Sequence, residues 1–289
     1  MIKDMLIRKA SGEMEPFSAD KIKGSLLRSG SDPQIVEEIL EEIIQWIEDY
    51  KGDSQLTTRI IYKKAFALLN KRKNGSAARY RLKTAMMELG PTGHPFEHFM
   101  GQIYKLLGYE QIEVAQTLQG HALTHEVDVV ATHKDSKGQH HQHIVECKYY
   151  QTNGKNAGVQ VSLYVHSRME DIFSYRKKFP EYNNYIFTGG VATNTRFSSD
   201  AVAYGEYAGL KLLSWDYPRG GSLREIIDRE KIFPITALST ITRAQKELLM
   251  NRGIVICRQL QENPQILDEL MLPLSKLRKL QDELNSLLK

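Results

Sequence analysis

The sequence predicts an α/β protein: a layered α/β core flanked on both sides by helical segments. Three observations predict it. Between residues 91 and 234, helix-period stretches alternate with apolar runs of strand length. Before residue 90, apolar residues recur every three or four positions with acids between them. After Pro234 that helical spacing returns and continues to the end. The chain has 289 residues, 41% hydrophobic and 26% charged, enough for more than one packed core and too apolar for global disorder.

Each element follows from local pattern. Ser31-Asp32-Pro33 is a helix start, and Ile35, Ile39, Ile43 and Ile47 then share a face opposite Glu37, Glu38, Glu41 and Glu42. Thr57 or Thr58 starts the next helix, with Tyr62, Phe66 and Leu69 on one side, and a further helix covers Ala77 to Leu89. Gly90-Pro91-Thr92-Gly93 breaks the pattern and sets a domain boundary. Phe96, Phe99, Ile103 and Leu107 line a helix that ends at Gly108. The runs 126–132 and 142–150 read as strands joined by the polar loop 133–141 as a hairpin. Helix follows over 157–175, strand over 185–188, helix over 198–209 and strand over 210–215. The organisation is therefore 1–90, 91–234 and 235–289.

Composition excludes several classes. No apolar run is long enough to span a bilayer, and Asp4 stands where a signal peptide would build its apolar stretch, so no membrane partner is expected. Two cysteines, Cys147 and Cys257, exclude a disulfide framework and point to a reducing cytoplasm. The net charge of +4 is spread along the chain, so a nucleic-acid surface must be built by folding.

The chemistry concentrates in Glu146-Cys147-Lys148. On a strand Glu146 and Lys148 share one face while Val145, Cys147 and Tyr149 point into packing. A hairpin brings Asp128, framed by Val127, Val129 and Val130, beside Glu146, and two carboxylates suit a hard cation such as magnesium or manganese. Lys148 would steady an attacking hydroxide or developing charge on phosphorus, and Glu97 on the preceding helix is a further polar group. Glu97, Asp128 and Glu146-x-Lys148, in the order helix, strand, strand, resemble the PD-(D/E)xK nuclease superfamily, in its Mrr-type restriction endonuclease branch, over about residues 94–220. Val127 stands where that family often has proline. The resemblance implies a restriction endonuclease-like fold and magnesium-dependent phosphodiester cleavage. It makes Asp128 and Glu146 metal ligands, Lys148 the catalytic lysine and Glu97 the first-helix acid; Gln160 matches a glutamine of the following helix.

Around this set, Glu126 is an extra ligand or a strand-end cap, and Tyr149, Tyr150 and Arg168 are candidate DNA contacts. Eight of nine histidines fall between His94 and His143; His140, His141 and His143 have no cysteine or acid at zinc spacing, Pro95 argues against a shared helical face for His94 and His98, and His125, three residues before Asp128, is a candidate phosphate contact or base.

Near the N-terminus a short basic strand, a glycine turn and a helix from about Ser18 bring Lys21 and Lys23 to a helix start, where anions are favoured. Lys9, Gly12, Glu15-Pro16-Phe17, Lys21-Ile22 and Arg79-Tyr80 resemble the ATP-cone, with Ala10 in place of the usual second basic residue and Arg8 on the other side. The resemblance implies ATP or dATP held as an effector by Arg8, Lys9, Gly12, Phe17, Lys21 and Ile22. No GxxxxGK[ST] loop is present, so no ATPase is expected. At the other end, Asn251-Arg252-Gly253-Ile254 between two helices loosely resembles a helix-hairpin-helix, and Leu277, Leu280, Leu284 and Leu287 form a stripe for internal packing or self-association. The whole reads as a nucleotide-regulated, metal-dependent DNA endonuclease in restriction or defence, a homodimer or higher homo-oligomer. The alternatives are a repair or junction nuclease and a DNA-binding regulator without turnover.

Overall fold

The computed structural model describes residues 5–9, 11–29, 31–50, 55–72, 79–152 and 154–289. Residues 6–72 form a small helical unit. Strands β1 (Leu6–Arg8) and β2 (Met14–Pro16) pair antiparallel across a turn that Gly12 makes at φ +91°. Helices α1 (Ala19–Arg28), α2 (Pro33–Glu48) and α3 (Thr58–Arg72) follow. Asp32 caps α2 by accepting from the Gln34 amide at 2.8 Å, with Pro33 in the first turn. Val36, Ile39, Ile43 and Ile47 meet Leu26, Ile61, Ala65 and Leu69 in one buried cluster. Of the helix expected over 77–89, Ala77 and Ala78 lie outside the described residues; α4 runs Leu82–Met87. Its Leu82, Ala85 and Met86, with Leu89, pack into the central core instead of the N-terminal cluster.

The centre is a five-stranded mixed sheet in the order β3-β4-β5-β7-β9. Strands β3 (Gln111–Gln119), β4 (Thr124–Lys134) and β5 (His140–Lys148) run antiparallel to one another; β7 (Tyr185–Thr193) and β9 (Lys211–Leu213) continue parallel to β5. A two-residue parallel pair, β6 (Asn156–Ala157) and β8 (Arg196–Phe197), lies apart. Helix α5 (His94–Leu106) packs Phe96, Phe99, Met100 and Ile103 with Val129, Ala131, Val145 and Cys147. Helix α6 (Val159–Arg176) packs Val165, Met169 and Ile172 with Val127, Val130, Ile144 and Val191. Strands β4 and β5 are thus buried on both faces between helices, and each such side chain contributes about 1.5–3 kcal/mol by leaving water. Helix α7 (Ser199–Tyr207) makes the β7-to-β9 crossover, capped by the Ser198 hydroxyl.

Three features depart from the sequence expectation. Strand β3 is additional: its Gln, Glu and Thr residues dilute the alternation because it is the sheet's edge. The hairpin loop is shorter, since β4 continues to Lys134 and β5 begins at His140. Asp135 closes the turn by accepting from the Lys137 and Gln139 amides, both at 2.9 Å. The strand expected over 185–188 extends to Thr193, because Gly189 and Gly190 admit Met169 and His143 where a Cβ would clash.

After α8 (Leu223–Glu230), helices α9 (Arg243–Met250), α10 (Cys257–Glu262), α11 (Gln265–Asp268) and α12 (Leu274–Leu288) complete the same core. Leu280, Leu284 and Leu287 are buried in it, so the leucine stripe packs internally. The amides of Arg252, Gly253 and Ile254 bond to Leu249 and Met250 carbonyls within their own turn. Glu283 is fully buried on α12, and its carboxylate accepts four hydrogen bonds, from the amides and hydroxyls of Ser239 and Thr240, at 2.6–3.0 Å. Among the described residues no helix is long and apolar enough to cross a membrane.

Candidate active site

The backbone ladder is interrupted at Asp128 on both sides. The β3–β4 register runs from Gln111↔Thr132 to Val114↔Val129 and resumes at Gln116↔Val127, leaving Ala115 opposite Asp128 unpaired. Ala115 sits at φ +55°, a left-handed conformation that alanine adopts at a cost of about 1–2 kcal/mol. On the other side the β4–β5 pairing reaches Val129↔Val145 and goes no further. The Asp128 carboxylate takes over the next rung, its Oδ2 accepting the Cys147 amide at 2.5 Å. Replacing a backbone rung by a side-chain one sets the carboxylate beside Glu146.

Glu146 and Lys148 stand at the carboxyl end of β5, where sheets with parallel strands place their crevices. Lys148 donates to Glu146 Oε1 at 2.7 Å. Two residues of α6 complete the cluster, brought to one helix face by their spacing of four. Tyr164 donates to Glu146 Oε1 and Arg168 to Oε2, each at 2.7 Å. The Arg168 guanidinium also donates to the Glu126 carbonyl, tying α6 to β4. The Lys148 ammonium lies 5.3 Å from the Tyr164 ring centre. Glu97, in the first turn of α5, is mostly buried, and its carboxylate accepts from His94 Nδ1 at 3.1 Å.

Electrostatics single out Asp128. Burial, together with the charges of Glu146 and Glu97, pushes Asp128 from its ordinary value of 3.8 up to about 7, against the Cys147 hydrogen bond and Lys148. Burial opposes charge on Lys148, but hydrogen bonds to Glu146 and Tyr164 outweigh it and raise its pKa. Burial, reinforced by Glu146, pushes Tyr164 up to about 12. Lys148 opens onto a cleft of about 530 Å³ bordered by Thr92, Gly93, Tyr150 and Lys155.

Asp128, Glu146 and Lys148 are therefore brought together, and Glu97 is within electrostatic reach. Among the described residues no three His, Cys, Asp or Glu side chains are grouped as a ready cage for an ion. His125 is turned away from that role: its Nε2 lies 2.8 Å from Asp171, which also accepts the Ala122 and Leu123 amides and so pins the β3–β4 turn to α6. His141 contacts Asp135 at 3.2 Å, and His143 is buried against Thr188. Tyr149 is a packing residue, donating to the Met87 carbonyl at 2.6 Å, and Tyr150 is held through its backbone by Asn194. Gln160 lies in the first turn of α6 against Gly158. Sequence reading missed Tyr164; the signal available was its spacing from Arg168 next to the apolar stripe of Val165, Met169 and Ile172.

In the N-terminal unit, Phe17, Lys21 and Ile22 line a cavity of about 170 Å³ with Tyr62 and Tyr80, whose rings stack at 4.7 Å. Lys9 reaches its rim through Glu15 at 3.3 Å, and Glu15 also pairs with Lys21 at 2.7 Å. Arg8 and Gly12 do not line it.

Comparison with known proteins places a class on this architecture. Residues 90–216 match the family model described as "Restriction endonuclease", and residues 233–288 match one described as "AF1548-like, C-terminal". The chain carries a restriction endonuclease-like domain in its centre. An uncharacterized protein of Archaeoglobus fulgidus is 29% identical over 144 residues, 49% of this chain and 72% of that protein. The crystal structure of a protein of unknown function, AF1548, superposes with a TM-score of 0.53 at 23% identity, over 68% of this chain and 97% of that one. That likeness establishes a shared fold. The MspJI restriction endonuclease in complex with a 27-mer oligonucleotide superposes at a TM-score of 0.37 and 14% identity, over 62% of this chain and 36% of that one, and adds nothing to it.

Proposed function

We propose that this protein is a divalent-metal-dependent DNA endonuclease, acting in restriction or defence, whose N-terminal unit binds ATP or dATP as an effector. The observation that carries the nuclease reading is the convergence of Asp128, Glu146 and Lys148 at the end of β5, with Lys148 2.7 Å from Glu146 and opening onto the cleft.

The donor set fits a hard cation: Asp128 and Glu146 supply carboxylate oxygens, and Asp128 Oδ1 accepts no hydrogen bond among the described residues. Asp128 and Glu146, with Glu97 nearby, would hold magnesium or manganese. The ion would polarise the phosphodiester and make a bound water more acidic. The chain's own residues do the rest. Lys148, charged at neutral pH, stabilises negative charge developing on phosphorus. Arg168 and Tyr164 hold the Glu146 carboxylate in one orientation.

The test is cleavage of plasmid DNA with magnesium or manganese, with and without ATP and dATP. Glu146→Ala and Lys148→Ala should each lose about 10²–10³-fold in cleavage while binding DNA as before. Unchanged cleavage in Lys148→Ala would remove it from the chemistry. For the nucleotide reading, Phe17 and Lys21 on a cavity walled by two stacked tyrosines are the support, and calorimetric ATP affinity should fall in Lys9→Ala and Lys21→Ala.

A further inference from the structure

A second cavity, of about 200 Å³, lies where α1 and α4 meet the end of the sheet and α8. Its wall carries Arg28, Arg79, Lys83 and Arg224 against a single carboxylate, Asp228. These cations are poorly neutralised. Arg28 and Lys83 have no ion pair among the described residues, and Arg224 reaches Asp228 only at 3.9 Å. Arg79 donates to the Leu287 carbonyl at 3.2 Å and lies over the Phe233 ring, but it has no ion pair and its buried Nε has no hydrogen-bond partner among the described residues. Lys83 donates to the Asn194 carbonyl at 2.7 Å and lies 4.5 Å from the centre of the Trp215 ring; burial holds its pKa down to about 8. Asp216, beside Lys83, is paired with Arg196, so four cations facing Asp228 leave an excess of positive charge in the recess, an arrangement that favours a multiply charged anion.

This recess and the tyrosine-walled cavity are neighbours: Ser25 and Tyr80 border both. The neighbour is lined by Ile7, Phe17, Ile22 and Tyr62, surfaces suited to an aromatic ring. Lys9 and Lys21, the basic residues on that side, are already committed to Glu15. We propose that the basic recess binds the phosphate chain of a nucleoside polyphosphate whose ring occupies the adjoining cavity, so that the nucleotide is gripped from the nuclease side by Lys83 and Arg224. The proposal rests on the effector reading above and gives it a physical consequence. The ligand would touch the segment leading into the sheet, because Lys83 holds Asn194, which brackets Tyr150 two residues after Lys148.

The experiment is calorimetry on the full chain with ATP, adenosine and tripolyphosphate, comparing wild type with Arg28→Gln, Arg224→Gln and Lys9→Ala. Arg28 is exposed and Arg224 half-exposed, so neither change should disturb folding. ATP and tripolyphosphate should each bind about tenfold more weakly to both arginine variants, the loss of one charge-assisted contact, while adenosine binding stays level. In a Trp46→Phe background Trp215 is the only tryptophan, and its fluorescence should respond to ATP and tripolyphosphate. ATP affinity unaltered in both arginine variants but lost in Lys9→Ala would overturn this site and leave the effector reading standing. Tripolyphosphate binding that depends on Arg224, with ATP binding no tighter, would support the phosphate site and overturn the nucleotide. Absence of binding by all three ligands would overturn both.

Discussion

Asp128 carries the clearest pH signature in the molecule. Its carboxyl titrates near 7 in the folded protein and near 3.8 when unfolded, so the native state holds a proton that the unfolded chain has lost between those values. Metal-free stability should therefore fall as pH rises from about 4 through about 7 and level off above. Asp128→Asn, which keeps an acceptor for the Cys147 amide but cannot ionise, should be more stable than wild type at pH 8 by about 1 kcal/mol, or roughly 2–4 °C in Tm. Differential scanning calorimetry in EDTA at pH 5 and pH 8 checks it; an equal Tm difference at both values would refute the assignment. Divalent-ion affinity should show the opposite slope, strengthening up to about pH 7. At Glu146, Tyr164→Phe removes one of three donors and should lower cleavage at saturating DNA by about fivefold, a loss of about 1 kcal/mol. That Glu146 and Lys148 share a face was legible because strand alternation fixes it, whereas the approach of Asp128 comes through the break in the ladder opposite Ala115. Tyr164 was not, and Arg168 was legible only as a candidate DNA contact, not as the partner of Glu146: the rotation of α6 against β5 is set by packing of Val165 and Met169, which the linear sequence does not encode locally.

Among the elements, β4 announced itself by Val127, Val129 and Val130 around Asp128, β5 by Ile144-Val145 before Glu146, and α5 by its aromatic spacing. The edge strand β3 did not, and it carries the distortion that lies opposite Asp128. Ala115 holds a left-handed φ in a position where an edge strand would ordinarily welcome a β-branched residue. Ala115→Val should cost about 1–2 kcal/mol, whereas Ala115→Gly should be neutral or mildly stabilising. Urea denaturation of the two variants reads the difference directly, and a stabilised valine variant would contradict the geometry. The glycine-proline break at residues 90–93 was legible as punctuation, yet α4, just before it, spends its apolar face on the central core. Punctuation marks where the chain turns; which core a helix joins depends on partners more than a hundred residues away, such as Thr236, whose hydroxyl donates to the Ala85 carbonyl at 2.7 Å.

At the level of the whole molecule, one buried cluster runs from Leu82 through the sheet to Leu287. A fragment limited to residues 90–234 should expose the faces that Leu249, Leu260, Leu280 and Leu284 cover, and should be rapidly digested by protease under conditions where the full chain resists. Glu283→Ala should lower stability by about 2–3 kcal/mol, since it strands two amides and the Thr240 hydroxyl, which have no other partner among the described residues, and leaves the Ser239 hydroxyl only the Asn70 side chain at 3.5 Å. The acceptor for the Ser239–Thr240 turn thus arrives more than forty residues after the turn itself. During synthesis, the central core stays open until the ribosome has released α12, so the order of translation alone delays assembly of the cleft beside Lys148 until that helix has emerged.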